Sequence, residues 1–168
     1  GSGGSGFRGR GVYWSTDGEN WTLIEETDPG AFSGASWSAC DALVGDPNHA
    51  SRVWWGADAG IGYFENGQIF EDVFEEDLPA GYWVSDITMA ADGSWMMLAA
   101  GNGRVYRTTD FQNLELISGG GSNSTLLPQS GLGRARVRIS QTDPSSAFAL
   151  FATSGGGELP CSSDSPIV

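Results

Sequence analysis

Apolar residues in this chain come in short runs, and polar breaks separate them. Val53-Trp54-Trp55, Met96-Met97-Leu98 and Ala149-Leu150-Phe151 are such runs. Asp46-Pro47, Asn66-Gly67, Asp92-Gly93 and Asp143-Pro144 are such breaks. β-Branched and aromatic residues between turn-forming pairs predict strands joined by tight turns. No stretch keeps a helical period for three turns. The pattern therefore predicts an all-β chain.

The order of strands and breaks recurs. Residues 38–64 run strand, Asp-Pro turn, strand, glycine turn, strand. Residues 84–110 repeat that order around Asp92-Gly93, and residues 137–156 begin it again around Asp143-Pro144. The second strands start at 53, 96 and 149, at spacings of 43 and 53 residues. Four short strands per unit at such a period mark a propeller blade. A closer repeat lies inside this one. GVYWSTDGENWTLI (11–24) and RVYRTTDFQNLELI (104–117) agree at seven of fourteen positions without a gap. The pairs are Val12/Val105, Tyr13/Tyr106, Thr16/Thr109, Asp17/Asp110, Asn20/Asn113, Leu23/Leu116 and Ile24/Ile117. Each copy reads as a hairpin with a polar turn.

The first turn, Ser15-Thr16-Asp17-Gly18-Glu19-Asn20-Trp21, resembles the Asp-box (BNR-type) hairpin of β-propellers such as sialidases, sortilin-type receptors and some xyloglucan hydrolases. It is one residue shorter than the commonest form of that box. A hydroxyl and a carboxylate there accept hydrogen bonds from turn N–H groups. Gly18 supplies a left-handed position at low steric cost. Trp21 is expected to fold over the hairpin and be largely buried. In the second copy Phe111 and Leu114 replace Gly18 and Trp21, while Thr108 and Asp110 survive. A looser turn is expected there. The resemblance implies that Ser15, Asp17, Gly18, Trp21, Thr108 and Asp110 are structural, away from any central funnel.

With strands labelled A to D from the axis outwards, residues 1–168 read as one partial β-propeller. The outer pair C–D of a first blade spans 11–24. A whole blade spans about 36–75 and another about 83–118. The inner pair A–B of a fourth spans 135–153, and 154–168 is a tail. ETDPGAFSGAS and SGGGSNSTLLPQSGLG read as loops between blades. The start GSGGSGFRGRG reads as the glycine loop between strands B and C, implying a longer natural chain. Three blades' worth of strands does not close a ring of the usual four to eight. Strands from the remainder of a longer polypeptide, or from neighbouring copies, are expected to complete it, the former being the better supplier.

Composition narrows the partners. The chain has 21 acidic and 8 basic residues, a net charge of −13, and all eight cations are arginine. Such a surface repels nucleic acid and anionic membranes. No transmembrane run or signal peptide is visible, and no membrane insertion is expected. Cys40, on an inner strand, and Cys161, in the tail, permit one disulfide without demonstrating it. Asn20 and Asn123 match the N-glycosylation acceptor, by chance if the protein is bacterial.

Candidate chemistry is sparse. Arg134, Arg136 and Arg138 alternate on one strand and so share a face. They do not converge from separate blades as a sialidase triad would, so a structural role, or salt bridging to the acidic loops, is expected. Asp41, Asp58 and Asp86 lie near inner-strand ends and could line a funnel as glycosidase carboxylates do. His49 follows a turn with no ligating neighbour. Glu75, Glu76 and Asp77 lack the spacing of a calcium loop, though their oxygens suit Ca²⁺. No cofactor or catalytic residue is assigned. Seven tryptophans include Trp54 and Trp55, which must face opposite sides of a strand. Trp14, Trp37, Trp83 and Trp95 are expected in the packing between blades.

The repeat grammar as a whole (GVYWSTDG, DPNHASRVWWG, RARVRISQTDPSSAFALFA) resembles exported Asp-box propellers of Bacteroidota over most of the chain. That resemblance implies a secreted or cell-surface module for binding, adhesion or structural assembly, with a glycan or protein ligand and no enzymatic activity. A fragment of a propeller glycoside hydrolase is the alternative.

Overall fold

The computed structural model describes residues 11–28, 40–58, 60–71, 73–74, 76–78, 82–119 and 127–153. The expectations for Cys161, Asn123, Trp37, Glu75 and the tail lie outside these residues, as does the side chain of Cys40. Twelve strands form: β1 (Tyr13–Trp14), β2 (Thr22–Leu23), β3 (Cys40–Gly45), β4 (Arg52–Ala57), β5 (Gly60–Glu65), β6 (Gln68–Phe70), β7 (Val84–Met89), β8 (Met96–Ala100), β9 (Arg104–Thr108), β10 (Glu115–Ser118), β11 (Leu132–Ile139) and β12 (Ala147–Thr153).

The protein is all-β. Two four-stranded sheets, β3-β4-β5-β6 and β7-β8-β9-β10, and two hairpins, β1-β2 and β11-β12, hold every strand pair, all antiparallel. Among the described residues no sheet closes on itself.

Register reveals how alike the units are. The hairpins β3-β4, β7-β8 and β11-β12 carry the same slip of one residue. Cys40 and Ala42 oppose Ala57 and Gly56, Val84 and Asp86 oppose Ala100 and Ala99, and Leu132 and Arg134 oppose Thr153 and Ala152. Two residues against one is the geometry of a β-bulge, which sharpens twist and re-aims side chains. The pairs β1-β2 and β9-β10 also match. Tyr13 opposes Leu23 in β1-β2, and Tyr106 opposes Leu116 in β9-β10, the same positions of the sequence repeat.

Alternation along each strand divides the core into layers. Trp54 joins Phe74, Ile87, Met96 and Leu98 in one cluster, while Trp55 joins Ile24, Ala57 and Phe64 in another. A third holds Met97, Ala99 and Val105 with Ala135, Val137 and Ile139. The two adjacent tryptophans thus anchor opposite faces of one sheet, as alternation requires. β7 packs against both β3 and β11. Gly56 permits the approach of β4 to β7: a Cβ there would come within 2.6 Å of Val84 Cγ1.

The turns of β3-β4, β7-β8 and β11-β12 are linked to one another. Asp46, Asp92 and Asp143 each accept the N–H two residues ahead, from Asn48, Ser94 and Ser145. Asn48 Nδ2 donates to the Asp92 carbonyl at 3.2 Å, and Trp95 Nε1 to the Pro144 carbonyl at 2.7 Å. Trp14 and Trp83 are exposed, against the expectation that both are packed. Among the described residues no helix is long and apolar enough to cross a membrane.

Candidate functional site: a polar groove across three strands

β3, β7 and β11 together line a groove of about 430 Å³. Asp41, Leu43 and Val44 come from β3, Asp86 and Thr88 from β7, and Arg136 and Arg138 from β11, with Gln141 beyond it. The β11 pattern explains its contribution. Ala135, Val137 and Ile139 point into the core, so Arg134, Arg136 and Arg138 must point outward.

Asp86 is the centre of the groove's polar structure. It is buried in β7, and its Oδ2 accepts the Val137 N–H at 3.0 Å. Its Oδ1 accepts from Arg138 at 2.7 Å and lies 3.7 Å from Arg136. Thr88 Oγ1 accepts the Ile139 N–H at 3.1 Å. Ser85 donates to the Ala99 carbonyl at 3.3 Å, and its own carbonyl takes a short bond from Arg136. A charged acceptor on a buried N–H is worth about 1.5–3 kcal/mol, whereas exposed ion pairs contribute about 0–1. The backbone bonds therefore hold β7 to β11, and the arginines, each well exposed, chiefly set the charge of the groove.

The sequence candidates separate into two groups. Asp41 and Asp86 join the three arginines, with Arg134 at 4.0 Å from Asp41. These acids belong to β3 and β7, not to the acidic loops expected to pair with the arginines. Asp58 follows β4 and is absent from the groove's described lining. Thr88 and Gln141 went unnoticed in the sequence. The signal was there for Thr88, since Val84–Met89 mixes three polar residues into a strand buried throughout.

Residues 15–21 and 108–114 form two turns in which a hydroxyl and a carboxylate accept from the turn backbone. Ser15 Oγ accepts the N–H groups of Asp17 and Gly18 at 3.2 and 2.8 Å. Asp17 Oδ1 accepts those of Glu19 and Asn20, both at 2.8 Å, and Oδ2 accepts Asn20 Nδ2 at 2.7 Å. In the second copy Thr108 accepts the Phe111 N–H at 2.9 Å. Asp110 takes Gln112, Asn113 and the Asn113 amide at 2.9, 3.0 and 2.9 Å. Phe111 adopts the left-handed backbone itself, φ +57° against +75° at Gly18. Asn20 and Asn113, with the turn amides and hydroxyls, hold both carboxyls well below the usual carboxylate range. The expected burial of Trp21 fails: it is 60% exposed, with its indole N–H on the Gly18 carbonyl at 3.2 Å. Leu114 at the matching position is buried instead.

In the acidic run, Asp77 Oδ2 accepts the Leu114 N–H at 2.7 Å, fastening the second turn to the loop after β6. Among the described residues no three His, Cys, Asp or Glu side chains are grouped to hold a metal. His49 Nδ1 lies 3.1 Å from Asp46, in an exposed turn. A smaller hollow of about 270 Å³ lies by Tyr82, Trp83, Gly101 and Asn102, with the Arg104 guanidinium 4.7 Å above the Tyr82 ring. No protein-family model and no curated protein sequence matches the chain.

Proposed function

We propose that this chain is a partial β-propeller, a binding or assembly module of an exported, cell-surface protein, with the groove over β3, β7 and β11 as its ligand-facing surface. The observation carrying this reading is the side-by-side packing of β7 with β3 and β11, the innermost strands of three units that share one bulged register. The Asp-box turns are staples of the outer hairpins. The groove offers guanidinium donors beside carboxylate acceptors, a pairing suited to the hydroxyls of a glycan or the polar groups of a protein loop. Its second alternative, glycoside hydrolysis, needs two free carboxylates opposed across a cleft. Asp86 is engaged by Val137 and Arg138, which favours binding over hydrolysis.

Titration of the intact chain with soluble sialosides, xyloglucan and β-glucan oligosaccharides tests this. Binding by at least one of them, weakened in an Arg136→Ala/Arg138→Ala variant, is expected, with no release of reducing ends. Binding indifferent to both substitutions would remove the groove from the proposal. Turnover that disappears in Asp41→Asn would transfer the reading to the hydrolase.

A further inference from the structure

Positive charge is placed unevenly on this acidic protein. Arg52 lies against both Glu65 and Asp46, Arg107 against Glu115, and Arg134 is 4.0 Å from Asp41. Arg136 and Arg138 differ. They share the single carboxylate of Asp86, which also accepts the Val137 N–H. Two guanidiniums against one carboxylate leave one positive charge uncompensated in the groove, on a chain of net charge −13.

The two guanidiniums converge. Arg136 Nη1 lies 3.7 Å and Arg138 Nη1 2.7 Å from the same Asp86 Oδ1. Each is tethered a second time, Arg136 to the Ser85 carbonyl and Arg138 to the Val137 carbonyl at 2.6 Å. Both side chains leave β11 and are held over β7 by Nη1. Among the described residues no acceptor meets Nε or Nη2 of either one. Those N–H groups remain as donors in two fixed planar forks. A carboxylate has two oxygens, and one fork satisfies it. A sulfate ester presents three oxygens in a tetrahedron and is able to bridge two forks. It also carries one negative charge, equal to the charge the groove leaves over, whereas a phosphate ester carries about −1.5 to −2.

The groups around the forks suit hydroxyls. The Thr88 hydroxyl accepts the Ile139 N–H and keeps its proton to donate. Gln141 Nε2 lies 3.4 Å from the Met89 and Ile139 carbonyls, which leaves the amide oxygen to accept. Asp41, partly exposed on the groove wall, adds carboxylate acceptors. A glycan brings hydroxyl donors to these acceptors, whereas an acidic peptide brings further carboxylates up to Asp41.

We infer that the groove recognises a sulfate ester on a glycan, with Arg136 and Arg138 as the residues that bind it. The inference rests on the groove reading above and names the ligand class of that same site.

Dextran oligosaccharides carrying sulfate, phosphate or carboxymethyl groups, together with unmodified dextran, share a backbone and differ only in the group under test. Calorimetric titration of the intact protein compares them, with circular dichroism of every variant. Dextran sulfate is expected to bind at least about tenfold more tightly than the other three, and inorganic sulfate to displace it. Arg136→Ala and Arg138→Ala, both at exposed side chains, should each weaken it by about tenfold or more with the sheet signal intact. Arg107→Ala also removes one positive charge and should leave binding unchanged. An Arg136→Lys/Arg138→Lys variant, which keeps the charge without the forks, should bind as poorly as the alanine variants. Absence of dextran sulfate binding overturns the inference; neutral oligosaccharides that still bind in an Arg136- and Arg138-dependent way would leave the groove reading standing without it. Dextran sulfate binding that survives both alanine variants overturns the inference and removes the groove with it. Equal or tighter binding of phosphate, carboxymethyl or unmodified dextran overturns the sulfate ester as ligand. Full binding by the lysine variant overturns the fork geometry on which the choice of sulfate stands.

Discussion

Asp86 and Val137 stand 51 residues apart, and the carboxylate of the first takes the backbone N–H of the second at 3.0 Å. The bond serves the edge of β11 that does not face β12. At that edge β7 supplies acceptors from Asp86 and Thr88. A charge buried in a strand is thus explained by backbone it satisfies in the next sheet.

Removing that acceptor leaves a buried N–H unmet. Asp86→Ala is expected to lower unfolding stability by about 2–3 kcal/mol in urea titration. Arg138→Ala should cost under about 1 kcal/mol, because its guanidinium is mostly solvated. Equal costs for the two would mean that the ion pair, and not the backbone bond, ties the sheets.

The two box hairpins differ in what fills their final position. Leu114 is buried in the main cluster, and Leu114→Ala should cost about 2–4 kcal/mol. Exposed Trp21 should tolerate alanine within about 0.5 kcal/mol. A Trp21→Ala variant as unstable as Leu114→Ala would return the indole to the core.

Backbone conformation separates Gly18 from its neighbours. Its φ of +75° is left-handed with open space around the α-carbon. Alanine there meets no side chain, so its cost, about 1 kcal/mol, is purely conformational. A neutral or stabilising Gly18→Ala in thermal melts would contradict the turn described.

Acid should weaken the protein through its turns. Asp17 and Asp110 are held down chiefly by the Asn20 and Asn113 side chains, Asp92 by the Ser94 hydroxyl and Asp143 by the Ser145 hydroxyl. A carboxyl depressed in the folded state stabilises fully above its unfolded value of about 3.9. That contribution is lost as pH falls through the lower folded value. Melting temperature should therefore change little from neutrality to about pH 5 and drop below about pH 4. An Asp17→Ala/Asp110→Ala variant should start lower at neutral pH and lose less on acidification. Parallel curves for variant and parent would exclude the turns as the acid-sensitive element.

The all-β class, the turn at each Asp pair and the opposite facing of Trp54 and Trp55 were legible because they depend on neighbours in sequence. A period of two and a few turn residues determine them. The bonding of Ser15, Asp17, Thr108 and Asp110 was equally local, confined to spans of two or three residues. Tertiary structure alone decided the rest. Whether Trp21 or Leu114 is buried depends on what lies over each hairpin, and only the second has the cluster around Trp54 and Phe74 beside it. Phe111 replaced a glycine at positive φ because surrounding bonds compensate a local cost that sequence propensity counts against it. The meeting of Asp41 with Arg134, and of Asp86 with Arg136 and Arg138, all far apart in sequence, required the packing of separate sheets. Side-chain type sets which contacts a residue is able to make, and the approach of distant strands decides which of them form.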